Sequence, residues 1–248
     1  MIYALLALSL LFVAIGFLVT ENNAKYLLSG YNTMSEAERK QVDIKSYILF
    51  FKKFHLFLGA SNLIIGLFLF YLVSKNASGI FLCTYPILAY IYFIWTSGNY
   101  SQGPKTSWDK IGIVILTGVL VLVTMLIVWE FKEDKITIQS GEIEIEGDYG
   151  EVIAASDIES VNLIHQLPKI SIKTNGFALG SVRKGHFNTS DGENVKLVLN
   201  SDQVPCILIT KKSGEKIYFS AKEQSNQGIF EEMKKVLPIG ASPAPHRD

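Results

Sequence analysis

Apolar residues are distributed unevenly along the chain. Residues 1–131 contain four long apolar runs, whereas residues 132–248 mix charged and apolar positions over short stretches. The runs cover residues 2–20, 57–74, 80–98 and 111–131. Each is at least 18 residues long, and Glu130 is the only charge inside them. A helix of this length crosses a hydrocarbon core of about 30 Å, and apolarity all round excludes an ordinary surface helix. The pattern therefore predicts four transmembrane helices in residues 1–131.

In the second half of the chain, short apolar or alternating runs are separated by Gly-containing turns, which is typical of β-strands. Seven strands are expected, near residues 136–138, 143–145, 161–163, 170–172, 195–199, 207–209 and 217–219. The stretch Ala221–Leu237 places apolar residues at helical spacing and predicts one C-terminal helix. Three prolines then follow in residues 238–248, where we expect a disordered tail.

The first apolar run resembles a signal peptide in length. No basic segment precedes it, however, and Val19-Thr20-Glu21 is a poor cleavage site. We therefore expect a retained anchor rather than a cleaved leader.

The segment between the first two runs combines a helix signal with basic and aromatic residues. Ser35 and Glu38 have the spacing of a capping box, which predicts a helix that begins at Glu36 and covers residues 36–55. Three of its lysines are expected to lie at the membrane surface: Lys45, Lys52 and Lys53. A helix with this composition is typical of an anionic bilayer surface.

The distribution of Lys and Arg predicts the orientation, because basic residues in short loops collect on the cytoplasmic side. Eight basic residues lie in the loops after the first and third runs, and three lie after the second and fourth. The count predicts that both termini, and with them the domain of residues 132–237, lie outside the cytoplasm.

Polar chemistry inside the four runs is sparse. Asn62 is the one strongly polar side chain, and a hydrogen bond between helices explains it more simply than a substrate site does. Ion-coupled transporters usually need an ionisable group within the membrane, and none lies deep inside these runs. The four histidines lack metal-ligand spacing, and no nucleophile motif or phosphate-binding loop occurs. We expect no enzyme activity, no metal and no cofactor.

One segment of the second half is basic. No acidic residue occurs between Glu159 and Asp191. Four cations lie in this interval: Lys169, Lys173, Arg183 and Lys184. They indicate a site for an anionic ligand such as a lipid headgroup or phosphate, although counter-charges from other strands would make the same residues an ordinary solvated face.

Two parts of the chain resemble known families. Residues 1–98 resemble the DUF3784 family of bacterial membrane proteins. The resemblance rests on the order of four features: an apolar run, the segment Leu27–Ser35, an acidic and basic helix, and Asp43-Ile44-Lys45 before the next apolar run. Its segment Gly-Tyr-Asn-Thr-Met-Ser is the most specific part. This resemblance implies a bacterial inner-membrane protein and no activity.

The second half resembles the bacterial pleckstrin-homology (PH) domain families over residues 132–237. The residues that carry this resemblance are Asp157–Val161, Leu167-Pro168, Thr174–Phe177, Gly180, Gly185-His186-Phe187 and Gly214–Ser220. The resemblance implies an antiparallel β-barrel of about seven strands, capped by a C-terminal helix, that binds ligands without catalysis.

The sequence thus predicts an α+β protein: a four-helix transmembrane domain followed by a PH-like barrel. The favoured function is a multi-pass membrane protein that displays a binding or scaffold module at the bilayer surface. The alternative is a small transporter or channel subunit that this module regulates. The expected partners are membrane lipids, with an anionic headgroup or another membrane protein as the ligand, and no nucleic acid.

Overall fold

The computed structural model describes residues 1–28, 31–100, 107–139 and 141–236, with the side chains of residues 107–109 excepted. The predicted disordered tail, 238–248, lies outside this part. The chain divides into two compact units, Met1–Ile127 and Val128–Asp248. Each unit is described by itself.

The first unit is helical. Its helices are α1 (Ile2–Leu18), α2 (Ala24–Leu27), α3 (Glu36–Arg39), α4 (Ile44–Phe68), α5 (Lys75–Ser97) and α6 (Ser107–Glu130), of which α6 extends into the second unit. A π-helical turn, Leu69–Val73, prolongs α4. The predicted capping box at the start of α3 is confirmed: the backbone N–H of Glu38 donates to Ser35 Oγ, and the N–H of Ser35 donates to Glu38 Oε2.

Three helices are long and apolar enough to cross a membrane: Ile44–Val73, Lys75–Tyr100 and Lys110–Glu130. The first predicted span corresponds to α1, an apolar helix of 17 residues that is shorter than these three. The helix expected over residues 36–55 is interrupted, because α3 ends at Arg39 and the next helix begins at Ile44. Because no breaker follows Asp43, whose carboxylate caps the next helix at Ser46, the chain forms a single helix from Ile44 through the second span.

Helices α1 and α4 pack closely across small residues. A side chain at Gly59 would meet the backbone oxygen of Ser9 at 2.7 Å. Beside it, Asn62 Nδ2 donates to Ser9 Oγ at 2.9 Å, and both side chains are buried. The expected hydrogen bond between helices at Asn62 is therefore present. Small residues with a buried polar contact are typical of helix pairs in membranes.

Aromatic rings fill the space between α4 and α5. Phe50 stacks on Phe93 with ring centroids 5.3 Å apart, and Phe54 lies 4.7 Å from the same ring. His55 is buried among them. Its Nδ1 lies 2.8 Å from the carbonyl oxygen of Phe51, which can only accept, so Nε2 accepts from the Tyr90 hydroxyl at 3.1 Å. A histidine that the sequence placed outside the spans thus lies within the helix of the second span.

The second unit contains nine strands in its described residues rather than about seven. They are β1 (Ile136–Gln139), β2 (Glu142–Ile145), β3 (Glu151–Ala154), β4 (Ile158–Ile164), β5 (Ile170–Leu179), β6 (Val182–Thr189), β7 (Asn194–Leu199), β8 (Cys206–Lys211) and β9 (Lys216–Ser220). The first three form one sheet, and the other six form a second in the order β4-β8-β9-β7-β6-β5. The predicted closed barrel is not observed, because β4 and β5 remain edge strands of the larger sheet.

The larger sheet buries side chains on both faces. On one face, alternate residues such as Ile217 and Phe219 pack against the smaller sheet and helix α7 (Asn226–Val236). On the other face, Tyr218 and Leu197 belong to a second apolar cluster. The β5–β6 hairpin forms the edge of this sheet. Gly176 and Gly185 are paired across it, and both have positive φ, so their backbones approach too closely for any side chain.

Candidate functional site

The β5–β6 hairpin carries all four cations of the predicted anion site, but in different environments. Lys169 and Lys173 are exposed and Arg183 is half-buried, and no ion pair joins them to another described residue. Lys184 is only 3% exposed. The hairpin register pairs Lys184 with Phe177 and Arg183 with Ala178, so these two adjacent cations point to opposite faces.

Lys184 belongs to a buried ion pair. Its Nζ lies 3.0 Å from Asp134 Oδ1, and the two side chains are 4% and 9% exposed. The same ammonium donates to the carbonyl oxygen of Lys132 at 2.6 Å. Burial raises the pKa of Asp134, and the hydrogen bond and charge of Lys184 oppose this shift. The structure thus separates Lys184 from the expected site, because its charge is already neutralised inside the domain.

The segment that carries Asp134 is bound to the domain at further points. Asn200 accepts from the N–H of Asp134 at 2.9 Å and donates to its carbonyl oxygen at 2.9 Å. The carboxylate of Glu133 accepts from the backbone N–H groups of Lys222 and Glu223 at 2.6 and 3.2 Å. Residues 132–135 are therefore an ordered part of the second unit and not a free linker.

Lys169, which precedes β5, and Lys173 and Arg183 are spread along the hairpin as a basic stripe rather than gathered in a pocket. Lys173 pairs with Phe187 and Ala178 pairs with Arg183, which places Lys173 and Arg183 on one face of the hairpin. Phe187, the partner of Lys173, is four residues from Arg183 on β6, or roughly 13 Å at the rise of a strand, and Lys169 is four residues before Lys173 in the chain. This spacing is too wide for one phosphate but suits an extended anionic surface.

A cavity of about 100 Å³ lies near the buried ion pair, and acidic residues dominate its lining. The lining residues are Trp129, Glu130, Lys132, Glu133, Asp134, Glu146, Gly147, Asp148 and Lys184. Trp129 Nε1 donates to Asp148 Oδ2 at 3.0 Å. Burial, and then the charges of Glu130 and Asp148, raise the pKa of the neighbouring Tyr149. Five acidic residues against two lysines make the lining acidic, and the sequence did not indicate this group because its members come from three separate segments.

A second ionic group links the two sheets of this unit. Glu151 on β3 accepts from Lys196 Nζ at 2.6 Å and from Lys211 Nζ, and Lys211 also pairs with Glu215 at 2.8 Å. Burial alone would raise the pKa of Glu151, but the two lysines together outweigh it and lower this pKa. Each charge has a partner, so the group serves stability rather than ligand binding.

The predicted membrane-surface lysines lie on the N-terminal half of α4. Lys45, Lys52 and Lys53 are all exposed, and Lys45 and Lys52 share a face because they are seven residues apart. The ammonium of Lys52 lies 4.3 Å from the centre of the Phe17 ring. In the described residues, no group of three or more His, Cys, Asp or Glu side chains has metal-binding geometry.

One residue of the family-like segment acquires an explanation from the structure. The guanidinium of Arg39 donates to the carbonyl oxygens of Tyr31 and Asn32 at 3.1 and 2.9 Å and lies over the Tyr31 ring. Tyr31 is therefore part of the contact by which Arg39 joins this turn to α3. Nothing in the structure explains Met34.

Comparison with curated proteins and with solved structures gives no match. The resemblance of residues 132–237 to PH domains stays a prediction. The resemblance of the helical part is confirmed: residues 6–101 match the family model described as a domain of unknown function, DUF3784.

Proposed function

We propose that this chain is a multi-pass protein of the bacterial plasma membrane. Its four apolar helices α1, α4, α5 and α6 anchor a PH-like binding module at the bilayer surface. The basic stripe of Lys169, Lys173 and Arg183 attracts anionic lipid headgroups or an acidic face of another membrane protein. The observation that carries the proposal is that these three cations have no ion pair in the described part of the chain.

The length and packing of α1 support a fourth span. Seventeen residues extend about 26 Å, which a bilayer accepts at the short end of the usual range. Leu6, Leu10 and Phe17 are exposed on this helix, as expected where lipid is the neighbour. The side that faces α4 carries Ser9 and Gly16, which permit close approach.

The short connection after α6 supports a position of the PH-like module at the membrane surface. Five residues, 131–135, separate the end of α6 from β1, and even a fully extended chain of this length covers only roughly 20 Å. Trp129, near the end of α6, is of the residue type that favours the headgroup region. By the basic-residue count, the module lies on the extracytoplasmic side.

The transporter or channel alternative has one residue in its favour. His55 is an ionisable group inside the helix of a candidate span, where such groups often serve transport. Both of its ring nitrogens are engaged, by Phe51 and by Tyr90, within the packed interior between α4 and α5. This arrangement favours a role in helix packing, so we retain the anchored binding module.

The proposal is tested with the soluble fragment 132–248 and vesicles of phosphatidylglycerol or phosphatidylcholine. Each basic residue near an anionic surface contributes about 1 kcal/mol, so changing Lys169, Lys173 and Arg183 to Gln should weaken binding roughly a hundredfold. The matched control changes three exposed lysines elsewhere to Gln: Lys212, Lys222 and Lys235. Equal loss in both triple variants would show that net charge, and not the stripe, governs binding, and would reject the proposal.

A further inference from the structure

The acidic cavity of the second unit has more carboxylates than its cations can neutralise. It is lined by five acidic residues and by two lysines, Lys132 and Lys184. Lys184 is committed to Asp134. Among the acids, Glu133 is committed to two backbone N–H groups and Asp148 to Trp129.

Two further carboxylates line this cavity, the half-buried Glu130 and the exposed Glu146. Glu130 and Glu146 form neither an ion pair nor a hydrogen bond between side chains in the described residues. The charged neighbours of Glu130 include Asp134 and Asp148 as well as Lys173 and Lys184. A cation in the cavity would therefore meet several acceptors at once.

Asp134 gives independent evidence that an additional donor belongs here. Its side chain is 9% exposed and lines the cavity, and its Oδ2 is buried without a hydrogen-bond partner although Oδ1 pairs with Lys184. A buried carboxylate oxygen without a donor is costly. Gly147, with φ of 97°, lies directly over this carboxylate, where any side chain would collide with it.

The position and size of the cavity identify the kind of donor. Trp129 and Glu130 are the last residues of α6, whose apolar stretch ends there, so a membrane-spanning α6 would place these two lining residues at the level of the lipid headgroups. A cavity of about 100 Å³ accommodates a group of a few heavy atoms. Lys132, exposed at the same site, is available for a phosphate.

We propose that this cavity binds the primary ammonium group of an aminophospholipid headgroup, as in phosphatidylethanolamine. The ammonium donates to Asp134 Oδ2, Glu130 and Glu146, and the adjoining phosphate lies against Lys132. A primary ammonium has three N–H donors, whereas the quaternary ammonium of phosphatidylcholine has none and cannot satisfy the carboxylates. Lys173 of the basic stripe is a charged neighbour of Glu130, but the residues changed in the two tests are different, so this test can fail while the stripe binds anionic lipid, and the reverse.

The test uses the full chain reconstituted in nanodiscs that contain equal amounts of phosphatidylethanolamine, phosphatidylcholine and phosphatidylglycerol. After extraction into detergent, native mass spectrometry counts the lipids that each protein retains. Wild type should retain phosphatidylethanolamine over phosphatidylcholine, and the double variant Glu130→Gln with Glu146→Gln should lose that preference by at least about tenfold, as expected for lost charge-assisted bonds. The control changes Glu142 and Glu144 to Gln, two exposed acids of β2 outside the cavity lining.

Free ethanolamine and choline, added before extraction, distinguish the source of the ammonium. Ethanolamine should displace the retained lipid and choline should not. Retention of phosphatidylethanolamine and phosphatidylcholine in equal amounts by wild type would overturn the proposal, as would equal loss in the cavity and control variants. Binding of ethanolamine without retention of the lipid would overturn the lipid assignment in favour of a soluble amine.

Discussion

Lys184 provides the sharpest test of how the second unit is held together. Changing Lys184 to Met keeps the length of the side chain but leaves the Asp134 carboxylate buried without its cation. Breaking a buried ion pair by removing one partner costs about 3–5 kcal/mol, and both side chains here are nearly inaccessible, at 4% and 9% exposure. We expect a loss of about 3 kcal/mol, a large fraction of the 5–15 kcal/mol typical of a domain.

The loss is measured by urea unfolding of fragment 132–248, followed by circular dichroism. With a slope of about 1–3 kcal/mol per molar urea, the midpoint of Lys184→Met should fall by roughly 1–3 M. Arg183→Met is the matched control, because Arg183 is adjacent to Lys184 on the same strand, points to the other face and has no ion pair among the described residues. This variant should change the free energy of unfolding by less than about 0.5 kcal/mol. Midpoints that are the same for both variants would refute a structural ion pair.

The same variant has a defined pH dependence. In Lys184→Met the pKa of Asp134, already raised by burial, loses the opposing effect of Lys184 and rises further. The folded state then binds a proton more readily than the unfolded state, so stability increases as the pH falls through the folded pKa toward the unfolded value of about 3.9. The double variant Lys184→Met with Asp134→Leu removes both charges and should restore most of the stability at neutral pH.

Three further predictions concern other parts of the chain. Gly59→Ala should lower the melting temperature of the full protein in detergent, because overpacking costs about 1–3 kcal/mol. Gly118→Ala is the control. It should leave the melting temperature unchanged, because nothing lies within 4 Å of a side chain at Gly118. Glu151→Gln should destabilise fragment 132–248 by about 1–2 kcal/mol at neutral pH, and the control Glu144→Gln should not. Because the pKa of Glu151 is lowered in the folded state, the difference in stability between wild type and Glu151→Gln should shrink as the pH falls below about 4.3, the pKa of an unfolded Glu. Calorimetry should show that fragment 132–248 unfolds cooperatively and at a higher temperature than fragment 136–248, which lacks Asp134; equal transitions would contradict the assigned role of residues 132–135.

The hydrophobic pattern was sufficient to predict the broad architecture, whereas the local charge led to a wrong prediction of where one helix begins. The change from long apolar runs to alternating residues predicted an α+β chain, and the structure agrees. The start of α4 at Ile44 was not predicted, because Lys45, Lys52 and Lys53 indicated a surface helix over residues 36–55. Long basic side chains can instead extend from an apolar helix toward water, so their charge does not mark its end.

Strand β6 shows why the candidate site was only partly predictable. Its run Arg183-Lys184-Gly185-His186 has no apolar alternation, so the pattern did not predict a strand there. Lys184 was assigned to a ligand site because its own segment lacks acids. Its partner, Asp134, is 50 residues earlier in the chain, and only the packing of residues 132–135 against the larger sheet brings the two together.

If the proposed function is right, the basic stripe lies against the membrane in the intact protein. Single cysteines at Lys173 and at Glu144, each in a background without the two native cysteines, would carry a fluorophore in nanodiscs that contain phosphatidylglycerol with a spin-labelled headgroup. We expect strong quenching at position 173 and weak quenching at position 144, with the difference reduced by added salt. Equal quenching at the two positions would contradict it.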